Sequence, residues 1–304
     1  MALKVTNLSH SSISSFVNCP RAWAARNIEG APDVTGEEAR FGDAFDKLLC
    51  EELGFPVMEY RDNKGNKIKA EAGEYRSKYA TREVDEAIKN YLEQPWAWKE
   101  VKETQKFIQI TPMEWEALAD KYGANPYIPD RIIGFIDMVR YTPESEGLDP
   151  AIRPVEVCDL KTIGQDSWKP EWARQCVLYA LATGAQRWSI HRVVRGRPEK
   201  MACRAIEMNC DESKQLVKEV MDHTAWYALQ IKALRDNPSN VDHLPRNAGF
   251  HCKYCPLAGD GCKSGEPFKG GVLPGKFQWA RIKNANKTND GANSIRSSVG
   301  DFLG

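Results

Sequence analysis

The spacing of apolar residues changes from a helical to a strand-like pattern near residue 100. Before that point, apolar side chains recur every three or four residues after Ser9–Ser12 and again over residues 36–53. Such spacing is typical of amphipathic helices. Residues 80–99 have a similar but more polar pattern. The sequence therefore predicts helices in these three stretches, and Pro20 is suited to open a further short helix.

The next hundred residues combine both patterns. Nearly continuous apolar runs, flanked by turn residues, predict strands that are buried on both faces. The predicted elements are strands at 106–110, 131–141 and 154–161, helices at 111–123, 168–183 and 211–236, and a hairpin over 187–208. This order of elements predicts an α/β domain with a central mixed β-sheet flanked by helices.

Composition narrows the classes of protein that remain. The chain has 304 residues, of which 42% are hydrophobic and 28% charged, and this balance is that of a globular protein. Its 42 basic and 42 acidic residues cancel, which argues against wholesale wrapping of nucleic acid but allows a local basic site. No apolar run is long enough for a membrane helix, and the first residues lack the apolar core of a secretory signal. We therefore expect a cytoplasmic protein with no membrane partner.

The chain is predicted to comprise four segments. They are an N-terminal helical region (1–100), a core of sheet and helix (101–210), a C-terminal helix with a Cys-rich loop (211–262) and a tail (263–304). The tail is rich in Gly, Asn and Ser and holds seven Lys or Arg against three Asp or Glu. We expect it to be flexible and basic, and it is a candidate arm for recruiting a partner such as a single-strand binding protein.

Two predicted strands carry acidic side chains in apolar surroundings. Asp137 lies in one strand, and Asp159 and Lys161 lie two residues apart on one face of the next. Buried carboxylates are costly unless they are paired, and a divalent cation is the usual partner of oxygen ligands. We expect Asp137, Asp159 and the carbonyl of Leu160 to bind Mg²⁺ or Mn²⁺, and Lys161 to orient or activate a water nucleophile. A structural Asp–Lys salt bridge is the alternative explanation.

The order of these residues resembles a known nuclease family. Gly134-Phe135-Ile136-Asp137 is followed by Asp159-Leu160-Lys161 and then by Gln175 and Tyr179, one helical turn apart. This order resembles the PD-(D/E)XK nuclease superfamily, and most of all its RecB-like exonuclease branch. The resemblance implies a restriction-endonuclease-like core in which Asp137 and Asp159 bind the metal and Lys161 serves the attacking water. It also implies that Gln175 and Tyr179 face the site and the DNA.

The resemblance implies one further metal ligand, at a position where this chain differs from the family. The family has a Gly-x-x-x-His motif whose histidine binds metal, and Gly42-Asp43-Ala44-Phe45-Asp46 stands at that place. Aspartate is also an oxygen ligand, so we expect Asp46 to replace the histidine, with Asp43 as the competing candidate. Glu103 is a weaker match to an acidic position upstream of Asp137. A solvated acidic helix face remains the alternative for Asp46.

The cysteines suggest a second inorganic site. Cys252, Cys255 and Cys262 are three of nine cysteines and fall within eleven residues, a density typical of metal binding. His251 adjoins Cys252 and has awkward geometry for a fourth ligand, so a distant residue is expected. A subset of RecB-like nucleases, including those of CRISPR adaptation, AddB and many phages, binds a four-iron four-sulfur cluster. The resemblance implies Cys19, in Cys19-Pro20, as the fourth ligand of such a cluster, which would act as a structural staple. Zinc is the alternative occupant.

Several residues near the predicted site are candidates for DNA contact. Phosphate binding requires Lys, Arg or backbone donors, and Lys169, Arg174, Arg192 and Arg195 are the candidates here. Trp168 and Trp172 are spaced to lie on one helix face and are candidates for stacking on bases. Core packing of the tryptophans and solvation of the basic residues are the alternatives.

These observations, with the resemblance, imply a metal-dependent DNA exonuclease with an iron–sulfur cluster. It would hydrolyse phosphodiester bonds, on single-stranded DNA or at DNA ends, in recombination, repair or phage DNA metabolism. A single-strand binding protein, a helicase or a recombinase are the candidate protein partners. The alternatives are a non-catalytic DNA-binding relative that keeps the fold and cluster, and a zinc-stapled interaction protein.

Overall fold

The structure of the protein is a computed structural model. The structure describes residues 7–31, 37–55, 60–61, 67–68, 80–97, 100–164, 168–247, 249, 251–252, 255–257 and 262. These residues divide into two compact units. Unit 1 draws on residues 1–36, 110–133 and 221–304, and unit 2 on residues 37–109 and 134–220. The predicted flexible tail at 263–304 lies outside the described residues.

Seven α-helices are described. They are α1 (His10–Asn18), α2 (Pro20–Asn27), α3 (Glu37–Glu52), α4 (Arg82–Leu92), α5 (Pro112–Tyr122), α6 (Pro170–Thr183) and α7 (Asp211–Asp236). Local sequence sets several ends: Ser9 caps α1 by accepting the N–H of Ser12, and Thr111 and Glu114 form a reciprocal capping box on α5. Gly184 ends α6 in a left-handed conformation at φ 67°.

The described strands are β1 (Leu8–Ser9), β2 (Tyr60–Arg61), β3 (Lys67–Ile68), β4 (Val101–Ile110), β5 (Ile132–Tyr141), β6 (Val155–Ile163), β7 (Arg187–Val194) and β8 (Ala202–Glu207). In unit 2 the strand order is β4-β5-β6-β7-β8. The β5–β6 and β7–β8 pairs are antiparallel and the β6–β7 pair is parallel. The sheet is therefore mixed, and helices α3 and α6 both contact β6. This arrangement confirms the predicted α/β class with a central mixed sheet flanked by helices.

Unit 1 contains α1, α2 and the last part of α7. Its two-residue strand β1 pairs in parallel with Ile132 and Ile133, the first two residues of β5. The ring of Phe16 on α1 packs edge-on against Trp23 of α2 at 5.3 Å and against Tyr227 of α7 at 6.1 Å. The buried Arg21 pairs with Glu29 at 3.0 Å. Aromatic packing thus joins the first helices to the last one within this unit.

The core of unit 2 lies between its sheet and helices α3 and α4. The apolar faces of these helices pack on Met138 of β5 and Cys158 of β6. The buried helix residues that form this core are Phe41, Phe45, Leu48, Leu49, Val84, Ile88 and Tyr91. The apolar spacing over 36–53 was thus a correct indication of the buried face of α3.

Most predicted elements are present, with shifted ends. The helix predicted over 80–99 is shorter, Arg82–Leu92, and the strand predicted over 106–110 is longer, Val101–Ile110. The added strand residues, 101–105, are largely polar and only partly buried, so their apolar pattern is weak. No described helix is long and apolar enough to cross a membrane.

Candidate active site

The site begins where strands β5 and β6 separate. Their pairing runs from Tyr141–Val155 to Met138–Cys158. Just past that last pair, the Leu160 N–H donates to Asp137 Oδ2 at 2.7 Å, so a side chain there takes the place of a strand carbonyl. A cavity of about 210 Å³ opens at this point. The residues that line it are Gly42, Asp43, Phe45, Asp46, Asp137, Asp159, Leu160, Lys161, Thr162 and Gln175.

Besides the exposed Asp43, three carboxylates from three elements line this cavity. Asp46 comes from α3, Asp137 from β5 and Asp159 from β6. Asp159 is fully buried, and its Oδ2 forms an ion pair with Lys161 Nζ at 2.6 Å. Asp46 Oδ1 and Asp159 Oδ1 are buried and accept no hydrogen bond from the described residues. The cavity therefore holds more negative charge than Lys161 offsets.

Burial and the surrounding charges shift the acidity of four groups in the site. Burial, followed by the charge of Asp43, raises the pKa of Asp46 to about 7. Burial, followed by the charges of Asp46 and Asp159, raises the pKa of Asp137 well above its usual value. Burial also raises the pKa of Asp159, against the opposing effect of Lys161. For Lys161, burial opposes the charged form, but the neighbouring carboxylates outweigh it and raise its pKa.

Helix α6 contributes a line of hydrogen bonds that ends on the lysine. Lys161 Nζ donates to Gln175 Oε1 at 3.0 Å, and Gln175 Nε2 donates to the Tyr179 hydroxyl at 2.7 Å. Gly134 makes room for the tyrosine, since a Cβ at that position would lie 2.6 Å from Tyr179 Cε1. The predicted Gln and Tyr therefore lie on one face of α6, turned towards Lys161.

Gln105 of β4 is a site residue that the sequence did not suggest. Its side-chain amide donates to Asp46 Oδ2, and its backbone has a left-handed φ of 50°. The polar stretch around it gave no signal, because only the backbone turn brings the amide to Asp46. The competing candidates lie differently: Asp43 is exposed and pairs with Lys47 at 2.5 Å, and Glu103 pairs with Lys106 at 3.0 Å.

The donor set fits a hard divalent cation. Three carboxylates are oxygen donors of the kind that Mg²⁺ and Mn²⁺ prefer, and two of their buried oxygens lack a hydrogen bond. Without an ion, the three carboxylates do not form a group of ligand atoms within 4.8 Å of one another. Leu160 lines the cavity, and its carbonyl as a further ligand remains a prediction.

The predicted DNA-contacting residues differ in their surroundings. Lys169 is exposed beside α6, with Nζ 6.0 Å from the Trp172 ring centroid. Arg192 is buried, donates to the Lys200 carbonyl at 2.9 Å and lies over the Trp168 ring at 4.7 Å. The tryptophans differ as well, since Trp172 is buried and Trp168 only partly so.

Two of the predicted DNA-contacting arginines also interact within the protein. Arg195 makes a two-pronged ion pair with Glu83, with both contacts at 2.9 Å. Arg174 is half-buried and also interacts within the protein. For both arginines, a role in binding DNA remains a prediction.

The four predicted cluster cysteines gather in unit 1. Cys19 lies between α1 and α2, and it packs in one apolar cluster with Cys255 and Cys262. Burial opposes ionisation of Cys19, but hydrogen bonds, first that with His251, outweigh it and lower its pKa. The hydrogen bond with His251 likewise lowers the pKa of Cys252. These thiols are thus brought together and two of them are biased towards the thiolate, the form that binds metal.

A second polar cluster lies in the core of unit 2. Glu156, Cys158 and His191 are fully buried, and among the described residues theirs is the one group of three potential ligand atoms within 4.8 Å of one another. Glu156 is already paired with Arg140 at 2.9 Å. The His191 ring contacts the Tyr91 hydroxyl through Nδ1 at 2.8 Å. Burial, followed by the charge of Arg140, lowers the pKa of His191. We interpret this cluster as a hydrogen-bonded core, which the sequence did not predict.

Comparison with known proteins gives the family. A model of the PD-(D/E)XK nuclease superfamily matches residues 7–259. No curated protein matches. Among solved structures, a protein from Eubacterium rectale described as a "Putative exonuclease" is similar over 88% of this chain and 91% of its own, at 12% identity and a TM-score of 0.47. The protein SSO0001 is similar over 51% of this chain, at 15% identity and a TM-score of 0.30, and the chain spans 57% of its length.

The superfamily match covers both units and all the carboxylates of the cavity. The mixed sheet, the acidic pair on β5 and β6 and the lysine beside them agree with that match. This chain belongs to the PD-(D/E)XK nuclease superfamily.

Proposed function

We propose that the protein is a Mg²⁺- or Mn²⁺-dependent DNA exonuclease. The observation that carries this proposal is the shared cavity of Asp46, Asp137 and Asp159, with Lys161 held at its edge. Superfamily membership supports phosphodiester hydrolysis as the reaction. Single-stranded DNA or DNA ends are the proposed substrates, in recombination, repair or phage DNA metabolism.

The three carboxylates would hold the cation, with the Leu160 carbonyl as a further ligand. When bound, the cation polarises the phosphodiester and stabilises the charge that develops on it. Lys161 is protonated at neutral pH, since its pKa is raised, so its ammonium group donates hydrogen bonds to the attacking water and the phosphate. Asp159 and Gln175 fix the position of that ammonium group on two sides. Tyr179 in turn restricts rotation of the Gln175 amide.

Nucleic acid would approach from the side of the site where α6 begins. Lys169 is exposed there, and the partly exposed Trp168 has the guanidinium groups of Arg192 and Arg204 over its ring at 4.7 and 4.2 Å. Stacked aromatic and guanidinium planes suit contacts with unpaired bases. This patch supports a single-stranded or frayed substrate. A single-strand binding protein, a helicase or a recombinase would deliver such a substrate.

We also propose that Cys19, Cys252, Cys255 and Cys262 bind a four-iron four-sulfur cluster. The described cysteines of this set pack together in unit 1, and two of them have lowered pKa values that favour the metal-binding thiolate. Thiolate ligands suit an iron–sulfur cluster or zinc. The likeness of Cys19-Pro20 and the three later cysteines to the cluster ligands of RecB-like nucleases supports the cluster.

Exonuclease action is tested with linear and circular DNA of the same sequence. Wild-type protein with Mg²⁺ or Mn²⁺ is expected to shorten end-labelled linear strands and to leave closed circles intact. Lys161→Ala and Asp159→Ala are expected to abolish the shortening while the variants still bind DNA. Cleavage of the circles would show an endonuclease. Absence of cleavage with either metal, together with retained binding, would instead favour a non-catalytic DNA-binding relative.

A further inference from the structure

The backbone of β4 has an unusual conformation next to the site. Gln105 lies in the middle of the strand with a φ of 50°. This left-handed region is disfavoured for residues with a Cβ, and such residues persist where surrounding contacts hold them. Among the described residues, Glu100 is the other non-glycine residue with a positive φ, at 51°. Glu100 lies at the start of the strand and pairs with Arg153, whereas Gln105 contacts the site.

The contact that accompanies this conformation is the hydrogen bond to Asp46. The Gln105 amide donates to Asp46 Oδ2 and reaches a helix residue 59 positions earlier in the chain. A left-handed residue within a strand redirects its side chain, as in a β-bulge. With Oδ2 engaged, Oδ1 is the oxygen of Asp46 that accepts no hydrogen bond from the described residues. The contact with Gln105 therefore leaves Oδ1 as the oxygen of Asp46 that is available to a ligand.

We propose that Gln105 is a positioning residue that fixes the Asp46 carboxylate for binding the divalent cation. The inference rests on the proposed function, because it assumes that Asp46 is a metal ligand. Each of the other two carboxylates has a different partner in the site. Asp137 accepts the Leu160 N–H and Asp159 pairs with Lys161, and the Gln105 amide is the corresponding donor to Asp46. A neutral amide donor orients the carboxylate and leaves its charge for the cation.

The test compares metal affinity with fold stability in the full-length chain. Gln105→Ala removes the amide and keeps the backbone disfavoured, while Gln105→Gly removes the amide and relieves the backbone. Glu100→Gly is the matched control, because it relieves the same conformation outside the site. Mn²⁺ and Mg²⁺ binding is measured by calorimetry, and the thermal midpoint is measured with EDTA present.

We expect the Kd for Mn²⁺ to rise about 10-fold or more in both Gln105 variants and to stay within twofold in Glu100→Gly. We expect the midpoint without metal to rise or stay level in Gln105→Gly, since glycine adopts the left-handed conformation without strain. A midpoint that falls equally in Gln105→Gly and Gln105→Ala, with unchanged metal affinity, would show that the amide serves only the fold and would overturn the proposal.

A double-mutant cycle separates a role through Asp46 from a general effect on the site. In an Asp46→Asn background, Gln105→Ala is expected to change the Kd for Mn²⁺ less than twofold, because the group that it orients is already altered. If Gln105→Ala weakened Mn²⁺ binding by the same factor in the Asp46→Asn background as in wild type, the proposal would be overturned. If wild type binds Mn²⁺ and cuts DNA while both Gln105 variants bind Mn²⁺ equally well, only this inference fails. If wild type neither binds metal nor cuts DNA, the proposed function is wrong and the inference about Gln105 is wrong as well.

Discussion

Asp46, Asp137 and Asp159 are three carboxyl groups in a cavity that contains one ammonium group, that of Lys161. Full ionisation of all three would leave buried negative charge, so protons and divalent cations compete for the same oxygens. The direction of the pKa shifts expresses this competition, since burial raises the pKa of each carboxyl and repulsion from neighbouring carboxylates adds to the effect at Asp46 and Asp137. Stability and metal binding should therefore depend on pH in linked ways.

Without metal, the free energy of unfolding should fall as pH rises from about 5 to 8. The pKa of Asp46 is about 7 in the folded protein and 3.8 ordinarily, so between these values the folded state holds more protons than the unfolded state. Stability contributed by that proton is lost as pH rises through about 7, by roughly 1–4 kcal/mol. Urea unfolding in EDTA at several pH values should show this fall of the unfolding free energy with pH in wild type and a smaller fall in Asp46→Asn. Saturating Mg²⁺ should remove the difference between the two proteins. An equal fall in both proteins without metal would contradict this prediction.

Single residues also set the limit of what the sequence could reveal. Asp159 and Lys161 were recognisable because a period of two places them on one strand face, and Gln175 and Tyr179 because a period of four places them on one helix face. The structure joins these pairs through the contact of Lys161 with Gln175. Gln105 was not recognisable, because its role depends on a backbone turn that no apolar pattern signals.

Strand β5 and helix α6 meet at a glycine. Gly134→Ala would place a Cβ 2.6 Å from the Tyr179 ring, and a rigid ring can yield only if the strand or helix moves. We expect a loss of about 1–3 kcal/mol in stability. We also expect slower DNA cleavage, since Tyr179 orients Gln175 and hence Lys161. Thermal melts and cleavage rates of the same variant check both effects.

The matched control is Gly164→Ala. Its Cβ would meet no atom within 4 Å, and its φ is not in the left-handed region. It should therefore melt within about 0.5 kcal/mol of wild type. Similar losses in the two variants would show that loss of glycine itself, rather than contact with Tyr179, is responsible.

Strands β5, β6 and β7 are also joined by buried charge. Glu156 pairs with Arg140 at 2.9 Å and with Arg187 at 3.3 Å, and it is fully buried. Glu156→Ala should destabilise the protein by about 3–5 kcal/mol, because it leaves Arg140 buried without its carboxylate. Urea unfolding measures this loss, with the exposed pair variant Glu86→Ala expected within about 0.5 kcal/mol of wild type. Bound zinc or iron that disappears with Glu156→Ala would contradict our interpretation of this cluster as core.

The predicted elements were largely correct because their signals are local. The capping of α5 and the left-handed glycine after α6 are encoded in a few neighbouring residues. The separation of β5 from β6 at Asp137, which creates the cavity, follows from tertiary pairing and could not be derived from either strand alone. The cross-strand network of Glu156 was missed for the same reason.

At the scale of the whole molecule, cysteines far apart in sequence lie together. Cys19 and Cys255, which are more than two hundred positions apart in sequence, belong to one apolar cluster of unit 1. A metal cluster across this distance would restrict the unfolded chain strongly, as a long-range cross-link does. The proposed iron–sulfur cluster is therefore expected to serve stability rather than electron transfer.

Removal of one cluster ligand should test this role. Cys255→Ser is expected to abolish broad visible absorption at about 400 nm and to lower Tm by roughly 5 °C or more. Cys210→Ser is the control, because Cys210 lies outside the cluster and bonds locally to Ser213. Its spectrum and Tm should match wild type. A colourless wild type that contains one zinc per chain would show that zinc occupies the site instead.

DNA cleavage by the carboxylate cavity requires both a divalent cation and the charge of Asp159. The rate of Mg²⁺-dependent hydrolysis of an end-labelled single strand is compared between wild type and Asp159→Asn, which keeps the size of the side chain and removes its charge. We expect cleavage by wild type that EDTA abolishes, and a loss of at least about 100-fold in Asp159→Asn with the fold intact. Equal rates in the two proteins, or cleavage that persists in EDTA, would contradict the proposed function.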